Sequence, residues 1–193
     1  MSDTIRVPMQ GARSEGLCAV WPIGAQGQIS IRCEHSADFR ETLRGAIGLE
    51  VPAPLGSAQG ETGALLWMAQ DELLLLCPYD KVAETMAELT KVFDGWFIAI
   101  TDVSDARAFI AVKGPQLRDV LAKLTPADMA AHALTPGTIR RTRLAQVAAG
   151  IWLQSETTAQ VFCFRSVAEY AFKALTLAAE PGGEVGFHIA QPV

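Results

Sequence analysis

The chain has 193 residues, of which 50% are hydrophobic, and this is enough for one domain or two small packed halves with a core of their own. Its formal net charge of -5 and pI near 5.2 argue against a general affinity for nucleic acid or anionic lipid. Charged residues interrupt the N-terminal segment, and no apolar run approaches the roughly 20 residues of a membrane-spanning helix. We therefore expect a globular, cytoplasmic protein.

Residues 1 to 27 are predicted to form an extended N-terminal arm. Their apolar residues follow neither a helical nor an alternating period, and several prolines and glycines interrupt them. Such an arm would lie over its own domain or reach a partner. A partly disordered terminus is the alternative.

A regular α+β pattern begins at residue 28. Ile29, Ile31 and Cys33 alternate with polar residues, which predicts a strand, and Ser36 is a candidate N-cap for the helix that follows. Residues 51 to 63 are rich in proline and glycine and are predicted to be a loop. Their glycines lack the spacing of a phosphate-binding loop.

Two further strands, residues 64 to 69 and 73 to 77, are predicted to form a hairpin. The second contains four consecutive leucines and is apolar on both faces, so it belongs in the middle of a sheet or at a subunit interface. A helix that begins at Asp80 and a strand over residues 96 to 102 complete the order β-α-β-β-α-β, the ferredoxin-like arrangement.

The second half begins like the first. A strand over residues 107 to 113 runs through Gly114-Pro115 into a helix, predicted over residues 115 to 124 from apolar residues at i, i+3, i+4 and i+7. Strands and a last helix follow. We predict an α+β fold of tandem ferredoxin-like (βαββα) halves packed together. The halves are residues 28 to 104 and 105 to 180, and the C-terminal tail, residues 181 to 193, is a loop or a second arm.

The residues able to carry chemistry are isolated from one another in the sequence. Four cysteines form no C-x-x-C pair and are interpreted as reduced thiols, and the three histidines, His35, His132 and His188, have no metal-binding spacing. Asp102 is the carboxylate that best fits a functional position. We therefore predict no catalytic, cofactor-binding or metal-binding residue.

A partner-binding surface is the better prediction. Arg141 and Arg143 share one strand face and could grip a carboxylate or a phosphate, although a solvated strand face is the simpler interpretation. The apolar arm, represented by Trp21, and the leucine-rich strand, represented by Leu74 and Leu76, are the other candidate contact surfaces.

Several short motifs, taken in order, resemble the sarcosine oxidase gamma subunit family. They are Leu-Trp-Met-Ala-Gln-Asp-Glu-Leu-Leu-Leu at residues 66 to 75, Thr-Asp-Val-Ser at 101 to 104, Ile-Ala-Val-Lys-Gly-Pro at 110 to 115, Arg-Thr-Arg-Leu at 141 to 144 and Phe-Arg-Ser at 164 to 166. That family is similar in turn to the folate-binding aminomethyltransferases, which include the glycine-cleavage T-protein.

The resemblance implies a structural gamma subunit of a heterotetrameric oxidase, with alpha, beta and delta subunits as partners. Such an oxidase demethylates sarcosine to glycine with O2 and tetrahydrofolate. Its FAD, FMN, NAD and folate sites would lie in other subunits, with no cofactor in this chain. Where aminomethyltransferases carry a Gly-Gly turn followed by acidic residues, residues 147 to 154 read Val-Ala-Ala-Gly-Ile-Trp-Leu-Gln and contain no carboxylate. A free-standing folate-binding or aminomethyl-transfer protein and a homodimeric scaffold are the alternatives.

Overall fold

The computed structural model describes residues 8–61 and 63–188 and divides the chain into two compact units. One unit consists of residues 25 to 105. The other is discontinuous, because residues 8 to 24 belong with residues 106 to 188. Residues 1–7 of the predicted arm, Thr62 of the predicted loop and residues 189–193 of the predicted tail lie outside the described residues.

The secondary structure alternates strands with short helices. The strands are β1 Ala19–Pro22, β2 Gln26–Arg32, β3 Ser57–Gly60, β4 Gly63–Ala69, β5 Glu72–Pro78, β6 Ala99–Asp102, β7 Arg107–Lys113, β8 Thr138–Leu144, β9 Val147–Ser155 and β10 Thr158–Phe164. The α-helices are α1 Ala37–Ile47, α2 Val82–Val92, α3 Leu117–Ala122 and α4 Ala168–Ala178. Single turns of 3-10 helix, Tyr79–Lys81 and Arg165–Val167, lead into α2 and α4.

The unit of residues 25 to 105 contains an antiparallel sheet in the order β3-β4-β5-β2-β6. Apolar residues of α1 and α2 form a core with one face of this sheet. Ser36 caps α1 as predicted, since its side chain accepts a hydrogen bond from the Phe39 N–H. The predicted strand over residues 96 to 102 is shorter in the structure, where β6 begins at Ala99.

The prediction of a loop over residues 51 to 63 is wrong in part, because β3 lies within it. β3 has the sequence Ser-Ala-Gln-Gly and pairs with β4 at the edge of the sheet. Its half-buried and exposed residues give no alternating apolar pattern. Its strand conformation comes from pairing with the backbone of β4, which periodicity does not report.

The predicted central position of the leucine-rich strand is confirmed. β5 lies between β4 and β2, and Leu73 to Leu76 are all buried. Leu73 and Leu75 belong to the core beneath α1 and α2. Because side chains alternate along a strand, Leu74 and Leu76 lie on the opposite face.

The discontinuous unit contains a second antiparallel sheet, in the order β1-β7-β10-β9-β8, with α3 and α4 packed on one face. The prediction of an extended arm over residues 1 to 27 is therefore corrected at residues 19 to 22, 26 and 27, which belong to strands. Ala19 to Pro22 pair with Lys113 to Ile110 as an edge strand, and Gln26 and Gly27 begin β2. Backbone pairing determines this short strand, which needs no apolar period.

The predicted α+β class is confirmed, with two antiparallel sheets and few helices. Each sheet has five strands, two more than the predicted βαββα unit, and one of its edges is a four-residue strand, β3 in one sheet and β1 in the other. The helix predicted over residues 115 to 124 is α3, which begins later and ends earlier. No helix within the two described ranges is long and apolar enough to cross a membrane.

A Gly-to-Ala comparison tests the packing of the second sheet. A Cβ atom at Gly150 in β9 would clash with Cζ of the Phe162 ring, which stacks on Phe109 at 5.0 Å between centroids. We expect Gly150→Ala to lower the free energy of unfolding by about 1–3 kcal/mol, because the buried ring has to move.

The matched control is Gly45→Ala in α1, where nothing lies within 4 Å of the added atom. This change should raise stability by roughly 0.5–1 kcal/mol, since alanine favours helix. Urea unfolding followed by circular dichroism measures both changes, and equal effects of the two variants would contradict the packing described here.

Candidate functional site

The polar and aromatic members of the predicted partner surface lie at opposite edges of one sheet. Trp21 is half-buried on edge strand β1, with the Arg13 guanidinium carbon 4.6 Å from its ring centroid. Arg141 and Arg143 are exposed on the other edge strand, β8, two residues apart and hence on one face. Four strand-to-strand spacings separate the edges, about 19 Å in all. The structure does not bring these residues into one site.

Leu74 and Leu76 do not contribute to an exposed surface. Their relative exposures are 0% and 1%. Both side chains are buried in the chain itself, and their contact with a partner stays a prediction.

The three histidines have separate surroundings. His35 stacks on Phe39 at 5.4 Å between centroids, and its burial, followed by the charge of Arg40, lowers its pKa. His132 is exposed in the connection between α3 and β8, and the backbone N–H of His188 donates to a carboxylate oxygen of Asp119. In the part of the chain that the structure describes, no group of three or more His, Cys, Asp or Glu residues could hold a metal ion.

Asp102 is part of a turn that closes the end of β6. Its Oδ1 accepts hydrogen bonds from the backbone N–H and the hydroxyl of Ser104, at 2.9 and 2.6 Å. The same hydroxyl oxygen accepts the backbone N–H of Gln28 at 3.0 Å. The carboxylate that the sequence singles out thus connects β6 with the start of β2.

The most heavily buried charged side chains were missed at the sequence level. Arg118, in α3, is 6% exposed, and its guanidinium donates to the backbone carbonyl oxygens of Met129 and Leu134 at 2.7 and 3.0 Å. It also pairs with Glu156 at 2.7 Å. The carbonyl contacts hold the connection between α3 and β8 in place.

Asp119, the next residue, is a carboxylate on a short helix and is buried rather than solvent-facing. It is 3% exposed, and its Oδ1 accepts the backbone N–H of His188 at 2.9 Å. Lys123, the residue directly after α3, donates to the carbonyl oxygens of Gly183 and Ala178 at 2.6 and 2.8 Å. Residues 181 to 188 are therefore held against this helix by two charged side chains.

The four cysteines are free thiols, as predicted. Cys18 and Cys163 are buried, whereas Cys33 and Cys77 are half-buried. Burial raises the pKa of Cys18, Cys33 and Cys163 to about 11, and at Cys33 the carboxylates of Asp71 and Glu34 add to the effect. These thiols are poor nucleophiles at neutral pH.

The sequence profile of the sarcosine oxidase gamma subunit family matches residues 34–180. The chain belongs to the sarcosine oxidase gamma subunit family. A relative within it, sarcosine oxidase subunit gamma from Arthrobacter sp., is 25% identical over 179 residues, which are 90% of this chain and 87% of the relative.

Solved structures share the fold of this family member. A chain of heterotetrameric sarcosine oxidase from Corynebacterium sp. U-96 superposes with a TM-score of 0.79 at 22% identity, covering 96% of this chain and 93% of that chain. Glycine cleavage system aminomethyltransferase T from Bartonella henselae gives 0.63 at 17% identity and covers 87% of this chain and 48% of that chain. The relation to the aminomethyltransferase fold that the sequence resemblance implies is thus confirmed at the level of fold.

Loss of the buried guanidinium of Arg118 should make the discontinuous unit less stable to unfolding. We expect Arg118→Ala to lower the free energy of unfolding by about 2–4 kcal/mol, because two carbonyl oxygens lose a charged donor and a cavity opens in α3. Glu156→Gln is the control, with an expected loss of about 1 kcal/mol or less, since the Glu156 side chain is 59% exposed. Chemical denaturation measures both, and equal losses would show that the carbonyl contacts are unimportant.

Thiol labelling tests the raised pKa of Cys33. Against the usual value of 9.0, a pKa of about 11 lowers the thiolate fraction near pH 8 by roughly 100-fold. Iodoacetamide should therefore modify native Cys33 slowly at pH 8. The labelling rate should rise about tenfold with each pH unit until the pH reaches the pKa, because the thiolate fraction rises by that factor. Peptide mass spectrometry reports the rate, and urea-unfolded protein provides the reference. Labelling of native Cys33 at the reference rate would contradict the assigned pKa.

Proposed function

We propose that this chain is a non-catalytic gamma subunit of a heterotetrameric sarcosine oxidase and contributes to assembly of that complex. The observation that carries the proposal is the family match over residues 34–180. The high coverage of both chains in the superposition with the Corynebacterium oxidase supports it. The partners proposed from the resemblance are alpha, beta and delta subunits in the cytoplasm.

The same proposal assigns the FAD, FMN, NAD and tetrahydrofolate sites to other subunits. It agrees with the roles of the ionisable side chains described above. Arg118, Asp119, Lys123 and Asp102 each make contacts that fix a backbone segment. A chain whose charged side chains serve its own folding is suited to a structural role.

Co-expression with the larger subunits of the oxidase tests this function. The chain should migrate with them in size exclusion at micromolar concentration. Persistent separate migration would contradict the proposal.

Calorimetric titration of the isolated chain with tetrahydrofolate tests the folate-binding alternative. We expect no heat of binding, whereas binding with micromolar affinity would favour a free-standing folate-binding protein.

A further inference from the structure

The negative charge of the chain is concentrated in one unit. Residues 25 to 105 contain thirteen Asp or Glu and five Lys or Arg, a net charge of −8, whereas the rest of the chain contains eight and eleven, a net charge of +3. The overall charge of -5 hides this asymmetry. Any partner that contacts the acidic unit over a wide area is therefore selected for positive charge.

Within this unit, a groove of about 430 Å³ opens beside α1 and α2. Its buried and half-buried lining is mostly apolar and includes Ala46, Ile47, Leu75 and Cys77. The exposed lining is mostly charged and includes Glu61, Lys81, Glu84 and Glu88. The groove thus has an apolar floor and a rim with three carboxylates and one ammonium group.

The rim charges do not cancel. Lys81 Nζ lies 2.8 Å from Glu84 Oε2, and this hydrogen bond lowers the pKa of the Glu84 carboxyl, so the two groups neutralise each other. Within residues 8–61 and 63–188, Glu61 and Glu88 form no ion pair. The rim therefore keeps a formal excess of two negative charges.

The floor adds no charge of its own. Burial raises the pKa of the Cys77 thiol, against a smaller opposing effect of its hydrogen bond with Thr85, so the thiol stays protonated and neutral. Leu75, beside it, is 3% exposed. An occupant of this groove must match an uncharged floor and an anionic rim together.

We propose that this groove binds a segment of another subunit of the oxidase that carries a Lys or Arg next to an apolar side chain. The proposal rests on the function proposed above. An aliphatic stem lies along Ile47 and Leu75, and its cationic end reaches the carboxylates of Glu61 and Glu88, as long basic side chains do at apolar surfaces. Such a charge pair at an interface fixes register and increases the association rate.

The test uses the full chain with an affinity tag, co-expressed with the other subunits, and the Glu61→Gln/Glu88→Gln double variant. These changes keep the side-chain shape and remove both excess charges. The dissociation constant of the purified assembly should rise about tenfold or more, and its dependence on salt between 50 and 300 mM should decrease, because the lost contacts are electrostatic. The charge-reversed variant Glu61→Lys/Glu88→Lys should co-purify little or none of the larger subunits.

The matched control is Glu41→Gln/Glu180→Gln, which removes two exposed carboxylates outside the groove. The dissociation constant of the assembly that contains this control variant should stay within twofold of the value for the unmodified chain. If the groove variant behaves like this control while the unmodified chain still assembles, the groove proposal is overturned and the proposed function stands. If the unmodified chain does not assemble, both fail. Light scattering that shows self-association lost only in the groove variant would assign the groove to a second copy and also overturn the proposal.

Discussion

The discontinuous unit depends on how one face of its sheet is covered. Ile110, Ile151 and Val161, on three adjacent strands, are fully buried in a single cluster with α3 and α4. α3 has only six residues, and five of them are buried, including two charged ones. A helix this short would be marginal in isolation, so its stability comes from packing and from the hydrogen bonds of its charged side chains.

Those charged side chains determine the course of the surrounding backbone. A buried guanidinium must have acceptors, and Arg118 finds them in the carbonyl oxygens of Met129 and Leu134 and in Glu156. A buried carboxylate likewise needs donors, and Asp119 receives the N–H of His188. The connection before β8 and the segment after α4 are both held by one turn of helix.

This use of charge suits a member of a family of oxidase subunits. Inside the discontinuous unit, charges fix backbone segments. In the acidic unit, carboxylates exceed basic groups by eight, and two at the groove rim form no ion pair with any residue that the structure describes. Charged side chains inside the unit hold local backbone segments, while surface charges are available for recognition at long range.

The local sequence determined the elements whose signals are local. Alternation in β2, the Ser36 cap of α1 and the four leucines of β5 predicted their conformations. For β5 they predicted a place in the middle of a sheet or at a subunit interface, and the structure shows the first. The short sequence motifs, taken in their order along the chain, also predicted the family, and the profile match confirms it. Apolar period and capping chemistry are properties of neighbouring residues, so they can be read without a structure.

Tertiary structure alone decided the edge strands and the burial of polar residues. β1 and β3 are strands because the backbones of β7 and β4 lie beside them, and pairing across the chain leaves no local pattern. Asp119 has the sequence context of an exposed helical carboxylate and is buried because residues 181 to 188 pass over it. Trp21 and the arginines of β8 are separated by the order of strands in the sheet. The groove beside α2 likewise exists only because residues distant in sequence, Ile47 and Glu88 among them, are brought together by folding.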